Sequence, residues 1–177
     1  WISSAAAELG GLDIFVPNVS AGGGDMTEEG WQNNFNIDVM GAVRGIEAAL
    51  PFLKKSTSAS VVAISSTAAV ETFVAPQPRN AMKGALVVYA KQLSQALAPE
   101  GIRVNCVSPG PVFIKGGSWD MIKTHLPALY DSTLAQIPQG HLGSAEEVAN
   151  AVVFLASPAA SLITGVNLVA DGGFTKR

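Results

Sequence analysis

Three side chains within residues 60–97 are of types that could do chemistry together: the hydroxyl of Ser66, the guanidinium of Arg79 and the ammonium of Lys83. A serine hydroxyl both donates and accepts a hydrogen bond, and it becomes a nucleophile when a base stands beside it. A lysine can hold an anion or, once desolvated, act as that base. A guanidinium stays protonated in proteins and accepts no hydrogen bond, so Arg79 can only bind. Arg79 and Lys83 are four residues apart, on one face of a predicted helix, where like charges repel by roughly 0.2–0.5 kcal/mol. An anion between them would relieve this.

The elements that must position these groups are legible from periodicity. Residues 60–65 (SVVAIS) form a β-branched apolar run ending in small hydroxylated residues, which suits a buried parallel strand. Ligands of open α/β sheets bind beyond the carboxyl ends of such strands. A loop through Pro76 and Pro78 leads to a helix whose core stripe is Leu86, Ala90, Leu93 and Leu97, with Lys83 in its first turns.

The rest of the chain alternates in the same way. Residues 3–9 read as the end of a helix stopped by Gly10-Gly11, and residues 12–16 as a short buried strand. Asp25 to Glu29 carry start signals for a long helix with Trp31, Phe35, Val39, Val43 and Ile46 at helical spacing, running to the neighbourhood of Pro51. Residues 102–108 form a strand broken by Pro109-Gly110-Pro111. A Gly-, Pro- and aromatic-rich segment follows at 116–139. Ser144 and Glu147 fit a capping box opening a helix that stops before Pro158, and residues 166–169 are the last strand. This alternation predicts one α/β domain over residues 1–177, a three-layer sandwich around a parallel sheet.

Composition narrows the function class. The 177 residues are 48% hydrophobic with a net charge of −3, which suits a well-buried sheet and offers no basic surface for nucleic acid. No apolar run is long enough to span a membrane. The single cysteine, Cys106, sits in an apolar strand, reads as a core residue, and suits a reducing cytoplasm. His125 and His141 lack ligand partners at metal-binding spacing, so no metal site is expected.

The run ISSTAA, a lysine near the start of a small-residue-rich helix, then GIRVNCVSPGPV and ITGVNLVADGG, together resemble the C-terminal two-thirds of a short-chain dehydrogenase/reductase. The resemblance covers residues 12–173. It implies a Rossmann-like fold, here N-terminally truncated, and an NAD- or NADP-dependent oxidoreductase acting on a carbonyl or secondary alcohol of a small-molecule substrate. By resemblance, Ser66 would hydrogen-bond the substrate oxygen and Lys83 would hold the nicotinamide ribose. The tyrosine that shuttles the proton falls, counting thirteen from Ser66 and four back from Lys83, on Arg79. The asparagine of the family's proton relay falls on Asp38.

Further cofactor positions follow from the same resemblance. Pro17-Asn18-Val19-Ser20 stands where the family has Asn-Asn-Ala-Gly, and of these only Asn18 is kept. The turn containing Pro109, Gly110 and Val112 would lie against the nicotinamide, with Ile114 where a threonine often meets the pyrophosphate. Residues 116–139 would be the mobile substrate lid. The family's glycine-rich pyrophosphate turn has no match in these residues, and Gly22-Gly23-Gly24 reads as a flexible loop. The expectation is an enzyme impaired in this form. It is also a homo-oligomer, dimer or tetramer, packed through the helices that begin at Thr27 and Arg79.

Two alternatives come from other classes. One is a hydrolase, an esterase for example, with Ser66 as nucleophile, Lys83 as base and Arg79 as a carboxylate anchor or oxyanion partner, although no Gly-x-Ser-x-Gly elbow is present. The other is a non-catalytic subunit or fragment.

Overall fold

A computed structural model describes residues 1–71 and 75–176. Within the loop expected before Lys83, residues 72–74 lie outside the described residues. Four strands pair in parallel in the order β1-β2-β3-β4: β1 (Ile14–Phe15), β2 (Ser60–Ile64), β3 (Arg103–Pro109) and β4 (Asn167–Ala170). The register sets Ile14 beside Ser60, Ala63 beside Cys106 and Cys106 beside Asn167. The α/β architecture expected from the alternation is the one observed.

Period-two alternation divides the core into two layers. Val61 and Ala63 of β2, with Val104 and Cys106 of β3, face Ile46, Ala49 and Leu53 on one side and Ala90 and Leu97 on the same side. The helices supplying these are α3 (Gly41–Leu53) and α4 (Pro78–Leu97). On the opposite face Val62 and Val107 pack against Leu155 and Ala156 of α7 (Ala145–Ala156). Each fully buried Val, Leu or Ile contributes about 1.5–3 kcal/mol of transfer free energy, so the sheet is stabilised from both sides.

The long helix after Thr27 differs from its expectation. It is α2 (Glu28–Asn34), then a π-wound segment (Phe35–Met40), then α3, which passes through Pro51 and ends at Leu53. A π turn inserts a residue into the helical ladder and is common at functional sites; here it carries Asp38. Thr27 caps α2, its hydroxyl accepting from Gly30 N–H at 3.1 Å.

Strand ends also shift by one or two residues. β1 spans only two residues, and Pro109 is the last residue of β3 rather than its breaker, tolerable because a terminal proline need not donate to the ladder. Pro78 opens α4 with its φ already helical. The remaining helices are α1 (Ile2–Glu8), and α5 (Ser118–His125) and α6 (Pro127–Leu134), which build the segment at 116–139. Among the described residues β1 is an edge strand, and its Ile14 is exposed.

Candidate functional site

The site lies beyond the carboxyl end of β2, where α4 and the π-wound segment converge. Ser65 and Ser66 follow the strand; Ser65 Oγ–H donates to Lys83 C=O at 2.7 Å, pinning the start of α4 to the strand end. Ser66 caps a short 3₁₀ turn (Thr67–Ala69), its oxygen accepting from Ala68 N–H at 3.2 Å. That leaves the Ser66 proton available to a substrate oxygen.

Lys83 is 2% exposed. Its ammonium donates to Ile64 C=O at 3.0 Å and lies 3.2 Å from Asp38 Oδ1. Burial holds its pKa below the usual lysine value, against the opposing pull of Asp38. An ammonium has three donors, so one N–H remains after these two contacts.

Asp38 is the node of the cluster. Its Oδ1 also accepts from Ser20 Oγ–H at 2.7 Å, and its Oδ2 accepts from Ala21 N–H at 2.9 Å. The π-wound segment is thereby tied to the loop after β1. Ser20 is a participant that sequence reasoning did not single out; the signal was its hydroxyl at the last position of the Pro17–Ser20 turn. Asn18, the expected contact of that turn, is exposed and takes no part in bonding the Asp38–Lys83 pair.

Arg79 stands one helical turn before Lys83 and is half-buried. Burial lowers its pKa and the charge of Asp38 raises it in part, so it shares the field of the cluster. It makes no hydrogen bond or ion pair with any described residue.

The turn after β3 is built on close approach. Gly110 N–H donates to Ala170 C=O at 2.9 Å, and a Cβ on Gly110 would sit 2.5 Å from Asp171 Cβ. Val112 bridges Gly143 in parallel, through Phe113 N–H to Gly143 C=O at 2.8 Å and Gly143 N–H to Pro111 C=O at 3.0 Å. In the segment beyond, Trp119 and Tyr130 meet edge to face with centroids 6.4 Å apart. Lys123 Nζ lies 5.6 Å from the Phe113 ring and 5.3 Å from that of Tyr130, a cation–π link between α5, α6 and the loop after β3.

Other singled-out residues sit apart from this cluster. Cys106 is buried in β3, and burial pushes its thiol up to about 11, consistent with a core residue. His125 is exposed at the end of α5. His141 Nε2 pairs with Glu147 Oε1 at 3.1 Å, beside the observed Ser144–Glu147 capping box. Gly22, Gly23 and Gly24 all have positive φ, and Gly23 C=O accepts from Asn34 Nδ2 at 2.8 Å, so this loop is held from both ends. Two grooves, about 540 Å³ along Asp25, Gly30 and Asn33 and about 430 Å³ beside Gly10 and Phe52, are lined by none of the cluster residues.

The hydrolase reading finds no support here. Ser66 and Lys83 share no hydrogen bond, and the lysine is engaged by a carboxylate and a carbonyl. Among the described residues no group of three His, Cys, Asp or Glu side chains could hold a metal ion, and no helix is long and apolar enough to cross a membrane.

A family model described as enoyl-(acyl carrier protein) reductase matches residues 1–175. The isoepoxydon dehydrogenase of Penicillium expansum is 41% identical over 174 residues, 98% of this chain and 67% of that protein. The crystal structure of a short-chain dehydrogenase/reductase (glucose/ribitol dehydrogenase) from Brucella melitensis matches with a TM-score of 0.86 at 32% identity, over 99% of this chain and 70% of that one. The structure of ElxO with NADP bound matches with a TM-score of 0.87 at 25% identity, over 98% and 71%. The chain spans about two thirds of the length of these relatives. With a family model matched over residues 1–175 and a relative 41% identical, the chain belongs to the short-chain dehydrogenase/reductase family.

Proposed function

We propose that this chain acts as an NAD(P)-dependent oxidoreductase of a small carbonyl or secondary alcohol, with proton transfer impaired by Arg79. The observation that carries the reading is Lys83: its ammonium is fixed under the end of β2 by Ile64 C=O and Asp38, with one donor left over. That spare N–H fits a ribose hydroxyl, and by resemblance the Pro109-Gly110 turn would lie against the nicotinamide. Val112 and Asn18 are the other residues assigned to the cofactor. Ile114 offers no hydrogen-bonding side chain for the pyrophosphate.

When bound, the nicotinamide supplies or accepts the hydride. This chain's own residues do the rest: Ser66 donates to the substrate oxygen, Lys83 orients the ribose, and Asp38 keeps Lys83 charged and in place. Arg79 cannot hand a proton to a developing alkoxide, since its guanidinium is not deprotonated in proteins. The expected partner besides substrate is a second copy of the chain, packed through α2 and α4, which would cover the exposed Trp31, Phe35 and Val88. Light scattering giving a monomer would remove that element.

The test of the cofactor reading is direct binding of NADH or NADPH, followed by nicotinamide fluorescence. Saturable enhancement that is lost in Lys83→Met supports it. No saturable binding, or binding indifferent to Lys83, overturns it.

A further inference from the structure

We propose that Arg79 makes the crevice beside Lys83 a binding site for a carboxylate group, so that the substrate of this chain is an acid anion. The inference rests on the reading of this crevice as the substrate site and adds the class of substrate it takes. The charge count comes first. Arg79 and Lys83 contribute two positive charges and Asp38 one negative, leaving the cluster at +1.

Asp38 does not neutralise Arg79 by contact, since no ion pair joins the two and Asp38 is engaged by three other groups. Oδ1 takes the Ser20 hydroxyl and the Lys83 ammonium, and Oδ2 takes the Ala21 N–H. Arg79 is half-buried, yet none of its five N–H donors meets a protein acceptor among the described residues. A guanidinium removed from much of its water and left without an acceptor is poised for an external one.

The geometry of that acceptor follows from the donor. A guanidinium presents a planar fork that two carboxylate oxygens match, whereas a neutral carbonyl would leave the charge unbalanced. A carboxylate carries one negative charge, equal to the excess on the cluster. Phosphate carries more than the cluster can balance.

Titration with benzoate and with its uncharged isostere benzamide, followed by calorimetry and by the Arg79 Nε resonance, tests the proposal. Benzoate is expected to bind at least tenfold more tightly than benzamide, with a shift of the Nε resonance and weakening by added salt. Arg79→Gln should abolish the preference and Arg79→Lys retain part of it, circular dichroism confirming the fold of each. If Arg79→Gln does not fold, the Nε shift and the Arg79→Lys comparison decide. Equal binding of the two ligands, a preference that survives in Arg79→Gln, or tighter binding of inorganic phosphate than of benzoate each overturns it. Neither ligand requires a nicotinamide, so failure of NAD(P)H binding and failure of carboxylate binding are separate results.

Discussion

Asp38 Oδ1 lies 3.2 Å from Lys83 Nζ, and the two side chains are 0% and 3% exposed. A buried charge with its partner removed costs about 3–5 kcal/mol, whereas replacing both partners by apolar groups can be neutral. The pair is thus a fixed point joining the π-wound segment to α4, and Ser20 and Ala21 extend it to the loop after β1.

Asp38→Ala should destabilise the fold by about 3–5 kcal/mol, read as a lower urea midpoint, because it strands the Lys83 ammonium. The double variant Asp38→Ala/Lys83→Met should be less destabilised than Asp38→Ala alone. A single variant as stable as the parent would show that the pair does not organise the site.

Arg79→Tyr places a proton donor where the family carries one. With the cofactor bound, carbonyl reduction should rise by about 10²–10⁴-fold over the parent, the usual worth of general acid catalysis. The measurement is NAD(P)H oxidation at saturating cofactor. Equal rates would mean that another group already delivers the proton.

Two glycines predict opposite outcomes for the same substitution. Gly110→Ala forces a Cβ to 2.5 Å from Asp171 Cβ and 2.8 Å from its Cα, and should cost about 1–3 kcal/mol. Gly84→Ala, inside α4 with the nearest atom at 3.6 Å, should instead stabilise by about 0.5–1 kcal/mol. Denaturant titration of both reads the difference, and a neutral Gly110→Ala would show that β3 and β4 do not meet this closely.

The exposed His141–Glu147 pair sets a pH dependence. His141 is raised above 6.5, chiefly by its hydrogen bond to Glu147, so its contribution is complete below 6.5 and is lost as pH climbs through the raised value. Glu147 is lowered below 4.5, chiefly by Ser144 N–H, so its contribution is present above 4.5 and lost as pH falls through the lowered value. The pair is therefore fully engaged between about 4.5 and 6.5. The stability difference between parent and His141→Gln should be larger at pH 6 than at pH 9. A difference independent of pH would show that the pair does not form in solution.

The sequence by itself determined the architecture, because apolar periodicity is a local quantity. The run at 60–65 suited a buried parallel strand, the stripe from Leu86 to Leu97 suited a core-facing helix, and Ser144 with Glu147 announced the start of α7. By resemblance, the count of thirteen and four residues assigned Ser66, Arg79 and Lys83 to one site. Tertiary structure decided what those groups bond to. Lys83 and Asp38 are 45 positions apart, and Ser20 is 18 from Asp38. No spacing rule reports contacts between separate elements, since these are set by how α4 and the π-wound segment pack on the sheet. The π turn was not legible because Trp31, Phe35, Val39, Val43 and Ile46, at intervals of three or four, also fit an uninterrupted α-helix. Burial then fixed the chemistry: it turned Asp38 from a polar helix residue into the counter-charge of Lys83 and left Arg79 half-enclosed without an acceptor among the described residues.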